Sequence, residues 1–317
     1  MNADRAEAMA PPPGQLFTQD ALVKGRPSTL SCVRLAGHTF VIESGPLTVV
    51  RLQDEWFEDL AQPQAALDAL QASNIKADLF TFWQRMPNVE PAHPYALEWQ
   101  EIAALPVTTH EHWLKNQIRP RVRSQIRKAH KDGLTVKEVP YDDEFVRGMT
   151  AIFNESPVRQ GRPFWHYGKD FETVKQQFSR YLFREWMIGA YHEDRLVGFM
   201  MLADAGRFAL TGQIIASLHH RDLSPNNALI SKAVETCEAR GLAHLIYLFW
   251  SDDSLGEFKR RCGFEKVRVP RYCVPLTWKG RLALKTGLHH GWKAMLPAGM
   301  LRSLKQARSA WHERQSS

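Results

Sequence analysis

The sequence has little cysteine: Cys32, Cys237, Cys262 and Cys273 are its four in 317 residues. No pair has the spacing of a zinc ligand set or of a thioredoxin-like dithiol, so no disulfide framework and no metal site are expected, and the scatter fits a reducing compartment. No run reaches the roughly 18 apolar residues of a membrane-spanning helix. The N-terminus lacks the apolar core of a secretory signal. A cytoplasmic chain is expected, with peripheral contact at the inner membrane face left open. No short-period repeat is visible. Acidic residues are missing altogether from Trp113 to Lys131.

What is present is ordinary globular composition with a basic balance. Hydrophobic residues make up 44% and the net charge is +7, which favours an acidic partner: nucleic acid, anionic lipid or a phosphorylated small molecule. The ten tryptophans read first as core filling. The length suits two modest domains.

Residues 1–15, with Pro11, Pro12, Pro13 and Gly14, read as a disordered lead-in. Residues 16–105 read as a small mixed α/β region. It has β-rich runs between Ser28 and Arg51, a helix from Pro63 to Ser73, and strands at 77–83 and 95–102. Residues 106–278 are more regular. Pro120 suits a first helical position and Gly133 a stop, with Val122, Ile126 and Ala129 as the apolar stripe between them. There follow a strand at 134–139, helices at 142–156 and 170–185, and strands at 186–192, 196–203 and 207–217. A helix from Pro225, a strand at 243–250, a helix at 254–261 and a strand at 265–276 complete the order β-α-α-β-β-β-α-β-α-β. Residues 279–317 read as a basic helical tail. Its amphipathic stretch through Met300, Leu301, Leu304 and Ala307 would lie on an anionic membrane or dock on its own domain.

That order describes a mixed α/β sheet with meander and crossover connections, and it resembles the GNAT acyltransferase superfamily. The first region resembles a shortened copy of the same plan, as in tandem Fem-type aminoacyl transferases. The stretch from Arg123 to Gly133, R-S-Q-I-R-K-A-H-K-D-G, is similar to the opening of the second domain in Fem-type proteins. The resemblance implies an acyl-CoA co-substrate with no tightly bound cofactor, or charged tRNA as the alternative donor. Its acceptor would be a small-molecule or peptidic amine or hydroxyl, of anionic character. A catalytically silent binding module of the same fold is the third reading.

Site residues follow from the same comparison. GNAT proteins bind the pyrophosphate of coenzyme A at a glycine-containing helix start. Here Arg221 matches, while Ser224 and Asn226 replace the glycines and Pro225 removes a donor. Arg221, Ser224, Asn226 and Asn227 form the expected donor set, with Gln213. Alternation along the strand puts Gln213 and Thr211 on one side. The other reading makes Ser224 an ordinary N-cap. Phe258-Lys259 resembles a Fem-type pair, giving Lys259 a role at a phosphate or oxyanion; a solvated lysine is the alternative. The loop 154–169 gathers Arg159, Gln160, Arg162, Trp165, His166, Tyr167 and Lys169. Its arginines suit carboxylate or phosphate, and His166 and Tyr167 suit proton transfer. Arg123 and Arg127 supply a cationic face for RNA, a nucleotide-linked precursor or lipid headgroups, unless that face is merely solvated.

Overall fold

The computed structural model describes residues 14–23 and 26–290. They divide into two compact units. The first takes residues up to 85, 90–99 and those from 270 onward; the second takes 86–89 and 100–269.

In the first unit, β1 (Leu16–Val23), β2 (Arg26–Leu35), β3 (His38–Glu43) and β4 (Val49–Leu52) form an antiparallel meander. The helix α1 (Pro63–Ala72) then crosses over to β5 (Leu79–Trp83), which lies parallel to β4. Pro63 occupies the first turn, where its missing N–H costs nothing. Ala66, Leu67 and Leu70 of α1 pack on Phe40, Val50, Leu52, Phe80 and Phe82. The chain leaves this unit along β6 (Leu97–Pro106) and returns along β14 (Glu265–Pro275), whose residues 271–275 pair antiparallel with β5. Residues 279–286, expected in the tail, form with Trp278 the helix α7 (Trp278–Thr286) of the first unit. The Thr277 hydroxyl caps Gly280 N–H and donates to Asp78 Oδ1 at 2.6 Å, which anchors the helix. The expected amphipathic stretch at 300–307 lies outside the described residues.

In the second unit a short helical segment, His110–His112 continuing through Trp113–Gln117, leads into α2 (Pro120–Lys131). Then come β7 (Thr135–Val139), α3 (Asp143–Phe153), the two-residue strands β8 (Val158–Arg159) and β9 (Arg162–Pro163), and α4 (Phe171–Phe178). The meander β10 (Glu185–His192), β11 (Arg195–Asp204) and β12 (Phe208–Ala216) follows, and then α5 (Pro225–Ala239), β13 (His244–Tyr247) and α6 (Ser254–Arg261). The strand order is β6-β13-β12-β11-β10-β7. The element order is the one expected from the sequence, with a small β8–β9 hairpin inside the 154–169 loop. The helix expected to run to 185 stops at Phe178, where the Ser179 hydroxyl takes the Gln176 carbonyl.

Both faces of this sheet are covered. The stripe Val122, Ile126 and Ala129 of α2 packs with Ala228, Leu229, Ala233 and Val234 of α5 against Ile188, Val197, Met200 and Leu202. Each large aliphatic side chain buried there contributes roughly 1.5–3 kcal/mol. Phe145, Met149 and Phe153 of α3 and Val174 of α4 cover the other face, against Met187, Phe199 and Met201. The β10–β11 turn carries Glu193 and Asp194 at φ 49° and 60°, the left-handed pair that a two-residue hairpin requires.

Candidate functional site

The site is built where β12 parts from β13. The two strands pair in parallel only from Phe208 to Leu210, although β12 continues to Ala216. The register of β12 against β11 also slips between Met201 and Leu202, leaving Gly212 as an extra residue. The bulge and the parting turn the second half of β12 away from its parallel neighbour, so its backbone groups on that side lose their strand partners. The bulge corrects the expectation for Thr211 and Gln213. Thr211 lies opposite Leu202 and Gln213 opposite Met201, adjacent residues whose side chains take opposite faces. Thr211 is buried and its hydroxyl has no hydrogen-bond partner.

Beyond β12 the chain makes one turn of 3-10 helix and enters α5 at Ser224. Ser224 is the N-cap residue by position, but it sits at φ 51°, ψ 45° and its hydroxyl caps nothing. The backbone keeps the left-handed conformation that suits glycine, at a cost of about 1 kcal/mol for a residue with a Cβ. The ordinary capping reading therefore fails, while the turn that exposes a helix N-terminus is retained.

A cleft of about 200 Å³ opens at this turn, lined among others by Gln125, Ser217, Arg221, Ser224, Asn226 and Asn227, with Phe258 and Arg261 of α6. No carboxylate lines it. The first turn of α5 faces it with a positive dipole end. Asn227 Nδ2 donates to Gln125 Oε1 at 3.0 Å, joining α5 to α2, and Asn226 Oδ1 is buried without a partner. Arg119 N–H donates to the Arg261 carbonyl at 3.1 Å, and Trp113 Nε1 to the Cys262 carbonyl at 3.0 Å; these bonds hold α6 beside the start of α2. The structure thus brings Arg221, Ser224, Asn226 and Asn227 together. Gln213 is not among the lining residues. Gln125 and Arg261 were missed, although Gln125 lies inside the 123–133 motif and Arg261 in the run after Lys259; of the Phe258-Lys259 pair it is Phe258 that lines the cleft.

Lys259 is neither solvated nor in the cleft. It is fully buried, and its ammonium donates to the carbonyls of Tyr247, Leu248 and Phe249 at 3.3, 3.2 and 2.6 Å. Its nitrogen also lies 4.0 Å from the centroid of the Tyr247 ring. Burial pushes its pKa down to about 8. With all three donors on main-chain oxygens, the ammonium clamps the turn after β13, where Phe249 stands at φ 60°. The expected role at a phosphate or oxyanion is therefore replaced by a positioning one.

The 154–169 loop is largely pinned. Arg159 donates to the carbonyls of Ala216 (2.7 Å) and Ile152 (2.6 Å) and pairs with Glu155, whose carboxylate also accepts from Leu218 N–H at 2.7 Å. These bonds staple the loop to the connection between β12 and α5, so Arg159 is spent on structure rather than on substrate. Gln160 and Gly161 form the β8–β9 turn at φ 53° and 70°. His166 is 1% exposed, stacked on Phe153 with centroids 4.3 Å apart, and its pKa falls to about 3 by burial, helped by Lys169 and Arg159. It is a core ring, which removes it as a general base. Trp165 and Tyr167 are exposed. Lys169 sits 3.8 Å from the Trp165 ring centroid, and burial lowers its pKa to about 8. Arg162 is exposed and feels Asp253. None of the loop's side chains lines the cleft. On α2, Arg123 donates to the Lys115 carbonyl at 2.6 Å, whereas Arg127 is exposed.

One carboxylate lies near the bulge. Glu185, at the start of β10, approaches Gly212: its Oε1 lies 3.8 Å from where a Cβ on that glycine would stand. Burial raises its pKa to about 7, against a smaller lowering by Arg184.

No protein-family model matches the chain, and no curated protein matches it. Solved structures do. FemX superposes with a TM-score of 0.58 at 12% identity, over 85% of this chain and 90% of that one. The C-terminal domain of a putative lysylphosphatidylglycerol synthetase from Agrobacterium fabrum gives 0.51 at 14% identity, over 86% and 88%. L-PGS from Bacillus licheniformis gives 0.51 at 15%, over 82% and 87%. No described helix is long and apolar enough to cross a membrane. Likeness at such identity speaks for architecture: by its element order and by these neighbours, the chain has a GNAT-like fold of the tandem, Fem-type kind.

Proposed function

We propose that the chain is a GNAT-type transferase whose acyl donor carries a phosphate bound at the start of α5. The observation behind this reading is the carboxylate-free cleft that joins Arg221 and Arg261 to a helix N-terminus opened by a left-handed Ser224. A coenzyme A thioester is the donor we assign. Its pyrophosphate would lie in the cleft and its acyl arm would run into the parting of β12 and β13, where a backbone N–H freed from strand pairing would suit a developing oxyanion. The acceptor is an amine. Its nitrogen attacks the thioester carbonyl, the C–N bond forms as the C–S bond breaks, and the proton the amine gives up is passed on to the departing sulfur, which leaves as the thiol. Glu185 suits the acceptor's proton, since a carboxylate with a pKa near 7 is matched to that transfer at neutral pH.

A second reading takes charged tRNA as donor. It rests on α2, where Arg119, Arg121, Arg127 and Lys131 are exposed beside the same cleft, and on neighbours that include a lysylphosphatidylglycerol synthetase domain. Calorimetry with acetyl-coenzyme A tests the first reading: micromolar binding lost in Arg221→Ala supports it, and no binding at millimolar donor refutes it. Under the second reading charged tRNA binds instead, with an affinity that falls steeply with salt and weakens in Arg121→Ala/Arg127→Ala.

A further inference from the structure

We propose that Glu98, His289 and His290 form a binding site for one divalent transition-metal ion of zinc type, in the first unit and independent of the α5 cleft. Glu98 lies on β6, and the two histidines lie in the turn Leu288–His290 that follows α7. Gly287 ends α7 at φ 73°, and the next residues fold back so that both imidazoles reach one carboxylate. Glu98 Oε1 is 2.6 Å from His289 Nε2 and 2.9 Å from His290 Nε2. One ligand atom from each residue lies within 4.8 Å of the others.

The hydrogen-bonding of His289 sets which of its ring nitrogens faces the carboxylate. Its Nδ1 lies 3.1 Å from the Ala283 carbonyl, an oxygen that only accepts, so Nδ1 carries the hydrogen. In the neutral ring Nε2 is then a bare lone pair, and it faces a carboxylate oxygen at 2.6 Å. Two acceptors at that separation repel unless a cation lies between them. His289 has only 9% of its side chain exposed, so water does not screen the contact. The carbonyl on Nδ1 also fixes the tautomer and the ring plane, as the outer partner of a metal-bound histidine does.

The donor set selects the ion. Two imidazole nitrogens and one carboxylate suit zinc and its first-row neighbours, whereas magnesium and calcium prefer all-oxygen sets. Metal–ligand bonds of about 2.0–2.1 Å place tetrahedral ligand atoms roughly 3.3 Å apart, so each imidazole need move from the carboxylate oxygen by less than about 1 Å. The side chain of His290 is 47% exposed, which leaves the fourth position open to water. The ion would tie the turn after α7 to β6, a link spanning 191 residues of sequence.

Titration of the full chain, stripped with chelator and exchanged into neutral buffer, tests the site with zinc(II) by calorimetry and cobalt(II) by absorption. One equivalent binding below about 10 µM, with a cobalt d–d band of tetrahedral nitrogen–oxygen type and a raised melting temperature on zinc addition, is the expected result. Glu98→Gln and His290→Ala weaken binding on the order of 100-fold, while His112→Ala, at an exposed histidine in the second unit, leaves it unchanged. His290 is half exposed, so its variant folds, and circular dichroism of the metal-free variants checks this. Zinc binding that is absent at 100 µM, or equal in all three variants, overturns the proposal.

Discussion

Replacing Lys259 by methionine separates a structural clamp from a catalytic group. Methionine keeps the apolar stem and removes the ammonium, leaving the carbonyls of Tyr247, Leu248 and Phe249 without their shared donor. Hydrogen bonds from a charged donor contribute about 1.5–3 kcal/mol each, so three of them represent about 6 kcal/mol. Against this stands the cost of keeping the charge inside. A pKa pushed from 10.5 to about 8 by burial corresponds to about 3 kcal/mol at neutral pH. The balance is a net destabilisation of about 3 kcal/mol, or about 10 °C in melting temperature for a unit of this size. The pH dependence gives a second reading of the same group. Between pH 8 and 10.5 the unfolded chain holds a proton that the folded one has released, so this lysine makes stability rise across that window. Urea unfolding followed by tryptophan fluorescence at pH 7, 8.5 and 10 measures both effects. If Lys259→Met unfolds within 0.5 kcal/mol of the parent and the two pH profiles superpose, the turn does not depend on the ammonium and the clamp is wrong.

Three other outcomes follow from the site. Ser224→Gly relieves the left-handed strain at the start of α5 and raises stability by about 1 kcal/mol in the same unfolding assay, with donor affinity retained. Glu185→Gln removes a carboxyl whose folded pKa is raised to about 7. The folded parent holds that proton longer than the unfolded chain, so the parent loses stability as pH rises from 4.5 to 7, and the variant gains about 3 kcal/mol over it at pH 8 but little at pH 4; equal pH profiles would show an unburied carboxylate. His166→Phe fills the same aromatic stack and deletes an unpartnered Nδ1, so stability holds or rises and transfer activity survives; loss of activity in the folded variant would restore His166 to the chemistry.

The order of elements was readable because apolar periodicity reports burial directly. Val122, Ile126 and Ala129 face the core as their spacing predicts. The turn at the start of α5 was half readable: the letters at 224–226 lack the expected glycines, yet the backbone at Ser224 adopts the glycine-like conformation all the same. Composition misled in the 154–169 loop. A histidine among arginines reads as chemistry, but the rings of Phe153, Phe164, Trp165 and Phe178 make His166 part of a stack, and the distant members of that stack leave no local signature. The faces of Thr211 and Gln213 depended on one bulged residue, which alternation cannot foresee. Glu98, His289 and His290 meet across a gap in sequence that no spacing rule covers.

The path of the chain through β6 and β14 bears on how the protein is made. All five residues of β5 are buried in the finished fold, and one neighbour of β5 is the stretch 271–275. Tyr272, which accepts from Ala92 N–H, lies 180 residues downstream of it. At about 5–20 residues per second, a ribosome needs roughly 10–35 s to deliver that strand after Ala92. Throughout that interval Leu79–Trp83 is an apolar strand edge with no partner of its own. The first unit therefore cannot be completed until the chain has been made as far as β14, and until then this edge is open to wrong pairing.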